Sequence, residues 1–326
     1  MRPATLFTAL VVLAAGSLLL AAAVGSMRLS AQEVLAVLGG GGEPMHRTVI
    51  LELRLPRALA AFATGGLLAI AGALMQILLR NPLADPYVLG VSGGAATGAL
   101  LAMLLGTGAA LVSGSAFAGA LLSTLLVFGL ARSSGAWTTS RLLLTGIVIA
   151  AGWGAVIGFI LAIAPRDDIP GMLFWLMGDL SRAGSPWPAL VILALVLAAC
   201  WPLGRSLGLL ARGALQAAAL GVPVRAVEMG VYVLASLVTA IAVTLAGTVG
   251  FVGLIVPHMV RLLIGNNQRR LLPAAALGGG SLIVLADTVA RTILAPQQLP
   301  VGVITALIGV PVFLYLLHRR AGARPA

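Results

Sequence analysis

The chain has 326 residues, 60% of them hydrophobic and 9% charged, with a formal net charge of +11. This composition excludes a soluble globular domain and marks one polytopic membrane domain over 1–326. All 20 basic residues are arginine, so neither a phosphate-loop lysine nor a Schiff-base lysine exists; if ATP drives this protein, another chain must hydrolyse it. The one cysteine, Cys200, lies in an apolar run, which excludes a disulfide framework and a thiolate metal cluster.

Apolar runs predict about ten crossings, near 5–24, 57–79, 87–106, 109–131, 141–164, 188–203, 227–249, 251–264, 271–294 and 300–318. The first run, with Arg2 before it and Ala21, Ala22 and Ala23 at its end, also fits a secretory signal; its length favours a retained helix. With both termini cytoplasmic, Arg2, Arg80, Arg132, Arg141, Arg205, Arg212, Arg225, Arg261, Arg269, Arg270, Arg319, Arg320 and Arg324 fall on the inner face. Only Asp85 and Glu228 join them there as acids. The basic charge is thus the inside bias of a membrane protein, and nucleic-acid binding is not needed to explain it. A weak repeat sets Ala71-Gly72, ten residues before Pro82, against Ala246-Gly247, ten residues before Pro257. On this topology the two copies run in opposite directions.

The motifs RLPR (54–57), AGALMQ (71–76), NPLADP (81–86) and LGVSGGA (89–95) occur in order, followed by TTSRLLLTG (138–146), LGVP (220–223), GFVGLIVPHMVR (250–261) and LPVGVITALIGVPVF (299–313). Together they resemble the BtuC/FecCD-like permease subunits of binding-protein-dependent ABC importers, which carry vitamin B12, ferric siderophores and haem. The resemblance covers nearly the whole chain. It implies an all-α type II importer permease with helices 2–5 and 7–10 related as an inverted repeat. It further implies a homodimer, two ATPase subunits and a periplasmic or lipid-anchored substrate-binding protein. ATP and Mg would sit on the ATPase partners, with no cofactor on this chain, in the bacterial inner membrane.

The resemblance also assigns roles. Arg54, Arg57 and Arg291 would dock acidic residues of the binding protein, for which guanidinium forks are suited. Interface anchoring, or for Arg291 a helical pair with Asp287, accounts for the same residues. Asn81, Leu83, Thr139 and Ser140 would form the cytoplasmic gate; plain turn chemistry, with Thr139 or Ser140 as an N-cap, is the alternative. Ala211, Arg212, Leu215, Ala218, Leu220, Gly221 and Pro223, within 204–225, would couple to the ATPase as a short helix over 211–220. The alternative is a surface connector. His258 reads as a packed histidine, and His46 and His318 receive no role. The outer segment 165–187 carries Trp175 and Trp187 as interface anchors and, by the resemblance, touches the binding protein.

No catalytic or metal-ligating pattern appears, and mid-membrane charge is nearly missing: Asp287 is the acid clearly inside a span. An ion-coupled secondary carrier, the competing function, ordinarily keeps such groups at mid-depth. The small residues Gly146, Gly152, Gly154 and Gly158 suit a wide, chemically indifferent passage between two copies. Nothing in the sequence separates cobalamin, haem and ferric siderophore as cargo.

Overall fold

The computed structural model describes residues 3–25, 27, 29–133, 138–181 and 183–321. Arg2 and Arg324 lie outside the described residues, as do the side chains of Arg319 and Arg320. Every regular element of the described residues is helical: α1 (Pro3–Ala23), α2 (Ala31–Leu38), α3 (Pro44–Arg47), a π-helical stretch (Thr48–Arg54) and α4 (Leu55–Leu78) come first. A 3₁₀ turn (Pro86–Leu89), α5 (Val91–Leu104), α6 (Ala109–Ser133), α7 (Thr139–Ile163), α8 (Ile169–Leu176) and α9 (Trp187–Leu210) follow. The chain ends in α10 (Ala214–Ala219), α11 (Val224–Ala246), α12 (Val252–Ile264), α13 (Gln268–Ala290) and α14 (Val301–Ala321). Among the described residues 7 helices are long and apolar enough to cross a membrane, and α5, α12 and α14 are shorter apolar helices. One end of the bundle gathers most of the arginines and is called the basic face below; the other is the opposite face.

The helix running from 44 through α4 is the centre, with 89% of its most apolar stretch buried, against 11% for α7. It packs on α13, α11, α12 and α9. Contact that close needs helices without side chains in the seam. At Gly65 an added Cβ would collide with the Gly279 carbonyl of α13, and at Gly72 with the Gly253 backbone of α12.

The repeat is visible in the order of elements. Helices α4 to α7 have 24, 14, 25 and 25 residues, and α11 to α14 have 23, 13, 23 and 21. Exchanging the two sets leaves the packing pattern unchanged. The pair α4 with α13 becomes α11 with α6, α4 with α12 becomes α11 with α5, and α5 with α6 becomes α12 with α13. In both sets the short helix follows a left-handed residue, Gly90 (φ +71°) before α5 and Phe251 (φ +70°) before α12. Since α4 ends on the basic face and α11 begins there, the repeat is inverted.

Two sequence expectations are corrected here. The Ala71-Gly72 and Ala246-Gly247 pairs are not equivalent: Gly72 lies inside α4, whereas Gly247 (φ +65°) ends α11. The third crossing is not one helix from 87, because Gly90 forces a break and α5 starts at Val91. The two breaks meet: the Tyr87 hydroxyl donates to the Val249 carbonyl at 3.1 Å and accepts from the Val249 N–H at 3.0 Å. Helix α1, which also fits a signal, is packed into the bundle against α13 and α4.

Overpacking a helix seam costs about 1–3 kcal/mol. Gly72→Ala is therefore expected to lower Tm in detergent by several degrees. Gly129→Ala, where the added Cβ meets open space, should leave Tm nearly unchanged. Equal Tm values for both variants would contradict the close seam.

Candidate translocation and coupling site

On the opposite face the three predicted arginines do come together, but around this chain's own groups. Arg57 grips Asp287 of α13 with a fork: Nη2 donates to Oδ1 at 2.7 Å and Nε to Oδ2 at 2.9 Å. Its Nη1 donates to Gln298 at 2.9 Å. Arg291 lies one helical turn from Asp287, at 3.8 Å, which is the helical pair that its spacing allowed. The last carbonyls of α1 have no partners within their own helix. Arg54, 6% exposed, fills them by donating to Ala22 at 2.8 Å and Ala23 at 2.9 Å, and also reaches Met27. Arg291 donates to Ala21. Cations at a helix C-terminus are favourable for the same reason. As arranged here, Arg54 is buried, Arg291 and Arg57 are half-buried, and all three spend guanidinium donors on this chain's own groups.

At the basic end of α4 two further cross-links appear. Gln76, 4% exposed, accepts from Arg261 of α12 at 2.7 Å and donates to the Leu254 carbonyl at 3.1 Å. Arg80 follows the helix in left-handed conformation (φ +48°) and pairs with Glu228 of α11 at 2.8 Å. This directs the chain into the turn that holds Asn81 and Leu83, where the Asn81 side chain accepts from the Leu83 N–H at 2.9 Å. Asp85 closes the turn by accepting from the Tyr87 N–H at 2.8 Å. Desolvation pushes the Asp85 carboxyl up to about 6, a rise that this hydrogen bond only partly offsets.

Thr139 and Ser140 open α7 on the same face, and the N-cap is Thr138, whose hydroxyl accepts from the Arg141 N–H. That corrects the expectation that Thr139 or Ser140 caps the helix. Thr138 is the residue in extended conformation (φ −129°, ψ 145°), as an N-cap requires. Residues 134–137, just before it, lie outside the described residues. Farther along α7 an added Cβ at Gly152, Gly154 or Gly158 would meet open space, whereas at Gly146 it would collide with the Val88 carbonyl.

The predicted helix over 211–220 is shorter than expected. Helix α9 continues through Pro202 to Leu210, and Gly213 (φ +137°) breaks the path, so α10 occupies only Ala214–Ala219. Ala211 and Arg212 therefore belong to the turn that ends α9. Gly221 (φ +79°) ends the excursion, and Pro223 leads into α11. Ala217 faces inward and is buried, while Leu215 is 88% exposed, Leu220 61%, and Ala218 is exposed beside them. The outer face of this short helix is therefore apolar and bare. Among the described residues no three His, Cys, Asp or Glu side chains gather as a metal site.

Comparison with known proteins places this arrangement. The family model described as the FecCD transport family matches residues 10–319. The chain belongs to that family. It is 38% identical to the permease YvrB of Bacillus subtilis, over 87% of this chain and 83% of the relative. It is 41% identical to the cobalamin import permease BtuC of Halobacterium salinarum, over 86% and 76%. It is 39% identical to the hemin transport permease HmuU of Yersinia pestis, over 84% of each chain. A solved inward-facing structure assigned to the metal-chelate type of ABC transporter superposes with a TM-score of 0.84 at 30% identity, covering 97% of this chain and 99% of the other. The FecCD chain is thus a multi-pass permease with the type II importer fold, as the motifs implied.

Breaking a buried ion pair costs about 3–5 kcal/mol when one charge is left behind. Arg57→Gln should therefore lower Tm sharply, and adding Asp287→Asn should recover a large part of the loss. Additive losses would refute the pairing. For Asp85 the raised folded-state pKa makes its charge unfavourable as pH rises from the unfolded value near 4 to about 6. Asp85→Asn, which keeps the acceptor for Tyr87, should stabilise the chain above pH 6 and by little at pH 4. A gain that does not depend on pH would contradict this.

Proposed function

We propose that this chain is the membrane permease of an ABC importer for a bulky metal chelate (a ferric siderophore, haem or cobalamin), working as a homodimer in the bacterial inner membrane. The basic face would be cytoplasmic, as the positive-inside bias favours. Two ATPase subunits would bind there, and a binding protein would dock on the opposite face. The observation that carries the reading is the bare face of α10, with Leu215 88% and Leu220 61% exposed in a segment too short to cross the membrane. An ATPase groove is the partner such a helix fits.

The path from partner to gate is short. Helix α10 leads through Gly221 and Pro223 into α11, and Glu228 near the start of α11 holds Arg80, the residue next to Asn81. Movement of α10 would be transmitted through this pair to the gate turn of Asn81 and Leu83. Thr139 and Ser140 would complete the gate at the foot of α7. Helix α7, little buried and open at Gly152, Gly154 and Gly158, would line the passage against the second copy. Arg57 with Gln298 supplies the exposed polar edge for the binding protein, while Arg54 and Arg291 hold that edge in place from behind. ATP would then act by favouring one of two gate conformers.

The test is uptake of labelled cobalamin, haem and a ferric siderophore into proteoliposomes holding this chain with its ATPase and binding protein. The reading predicts uptake of one ligand, dependent on both partners. Leu215→Asp should abolish it, and Glu228→Gln should reduce it about tenfold while ATPase binding persists. Uptake without the partners would overturn the reading.

A further inference from the structure

A second feature of the basic face is unrelated to the gate. Between α9 and the start of α13 lies a cavity of about 450 Å³, lined by Gly204, Arg205, Gly208 and Arg212 on one side and by Asn267 and Arg269 on the other. Arg205, Arg212 and Arg269 are exposed, and among the described residues none of the three has a carboxylate partner within salt-bridge distance. This differs from Arg57 and Arg80, each of which holds an acid. Glycine at 204 lets the Arg269 side chain lie against α9, because a Cβ there would collide with it, while Gly208 faces open space.

The depth of the cavity follows from α9. Trp201 is 57% exposed and stands one helical turn before Arg205, so both lie on one stripe of the helix. An outward tryptophan one turn before an exposed arginine fits the border between hydrocarbon and headgroups. Arg205 then lies at headgroup level, with Arg212 farther out. On the neighbouring face of α9, Cys200, Leu203 and Leu207 line an apolar groove of about 260 Å³ together with Val227, Val231 and Leu234 of α11. The groove opens on the α11 side of the helix and the arginine cavity on its α13 side, so apolar and cationic surface adjoin at one end of α9.

We propose that this cavity binds the phosphate headgroup of an anionic glycerophospholipid, such as phosphatidylglycerol, from the leaflet at the basic face. The guanidiniums of Arg205 and Arg269 hold the phosphate from either side, because planar donor forks suit phosphate oxygens. The N-terminal end of α13 adds positive potential to the same wall. An occupied site ties α9 to α13 beside α10, so the lipid steadies the helix that leads into the coupling segment.

The test uses the full-length chain, purified without its ATPase and placed in vesicles of phosphatidylcholine with or without phosphatidylglycerol. Phosphatidylglycerol retained after detergent extraction and the change in Tm are read together. The wild type is expected to retain the lipid and to gain Tm from it, while inorganic phosphate alone gives no gain. Combining Arg205→Gln with Arg269→Gln should cut retention about 5-fold for each arginine removed, with Tm in phosphatidylcholine unchanged. Gly208→Leu, at a lining position where an added Cβ meets open space, fills the cavity and leaves every charge in place, so it should lose the lipid as well. Retention unaltered in both variants overturns the proposal, as does a Tm gain from inorganic phosphate that phosphatidylglycerol does not produce. Loss of ATPase binding in the double variant, with lipid retention unaltered, assigns these arginines to the protein partner and also overturns it.

Discussion

The structure depends on a helix that has almost no surface of its own. Helix α4 is enclosed by α13, α11, α12 and α9, and it can be enclosed because Gly65 and Gly72 remove the side chains that would keep neighbours away. A helix so buried must satisfy every polar group within the protein. Its charged and amide side chains do so at its two ends, whereas the hydroxyl of Thr64 in the middle is buried without a partner among the described residues. Arg54 and Arg57 engage α1 and α13, while Gln76 and Arg80 engage α12 and α11. The middle is left to apolar packing.

This division bears on how energy enters. The acids within the spans, Asp287 and Glu228, stand near opposite faces, each held by an arginine from α4 or the turn after it. Neither is at mid-depth, where an ion-coupled carrier ordinarily keeps its titrating group. On the function proposed above, the force for gating arrives from outside the bilayer, and α10 offers an exposed lever for it. The inverted repeat places the two helix breaks against each other through Tyr87 and Val249, in the interior of the bundle. Irregular backbone is tolerated there because protein covers it.

Much of this was legible in the sequence. The apolar runs located the crossings, and the RLPR, NPLADP and TTSRLLLTG motifs located the family and the turns. Sorting arginines by face also put Arg80 and Glu228 on one side, a signal for their pairing that loop position alone could not resolve. The pairs themselves were not legible, since Arg57 and Asp287 are 230 residues apart, and Gln76 and Arg261 are 185 apart. Periodicity describes one helix at a time and does not say which helices share a seam. The limits of α10 were missed for a local reason: alanine and leucine continue the helical pattern on both sides of Gly213, and only its left-handed backbone stops it. The outward role expected of Arg54 and Arg291 came from the family resemblance and the suitability of guanidinium for carboxylates. Their inward bonds follow from the free carbonyls at the end of α1, which a one-dimensional reading does not place beside them.

The central claim is that this permease takes its energy through the basic face and not from an ion gradient. The direct measurement is substrate uptake into proteoliposomes holding the permease, its ATPase and its binding protein, with vanadate in one arm and a protonophore with a sodium ionophore in the other. The account predicts that vanadate stops uptake and that collapsing both gradients leaves it intact. Uptake that survives vanadate and fails when the gradients collapse would contradict the account and make the chain an ion-coupled carrier.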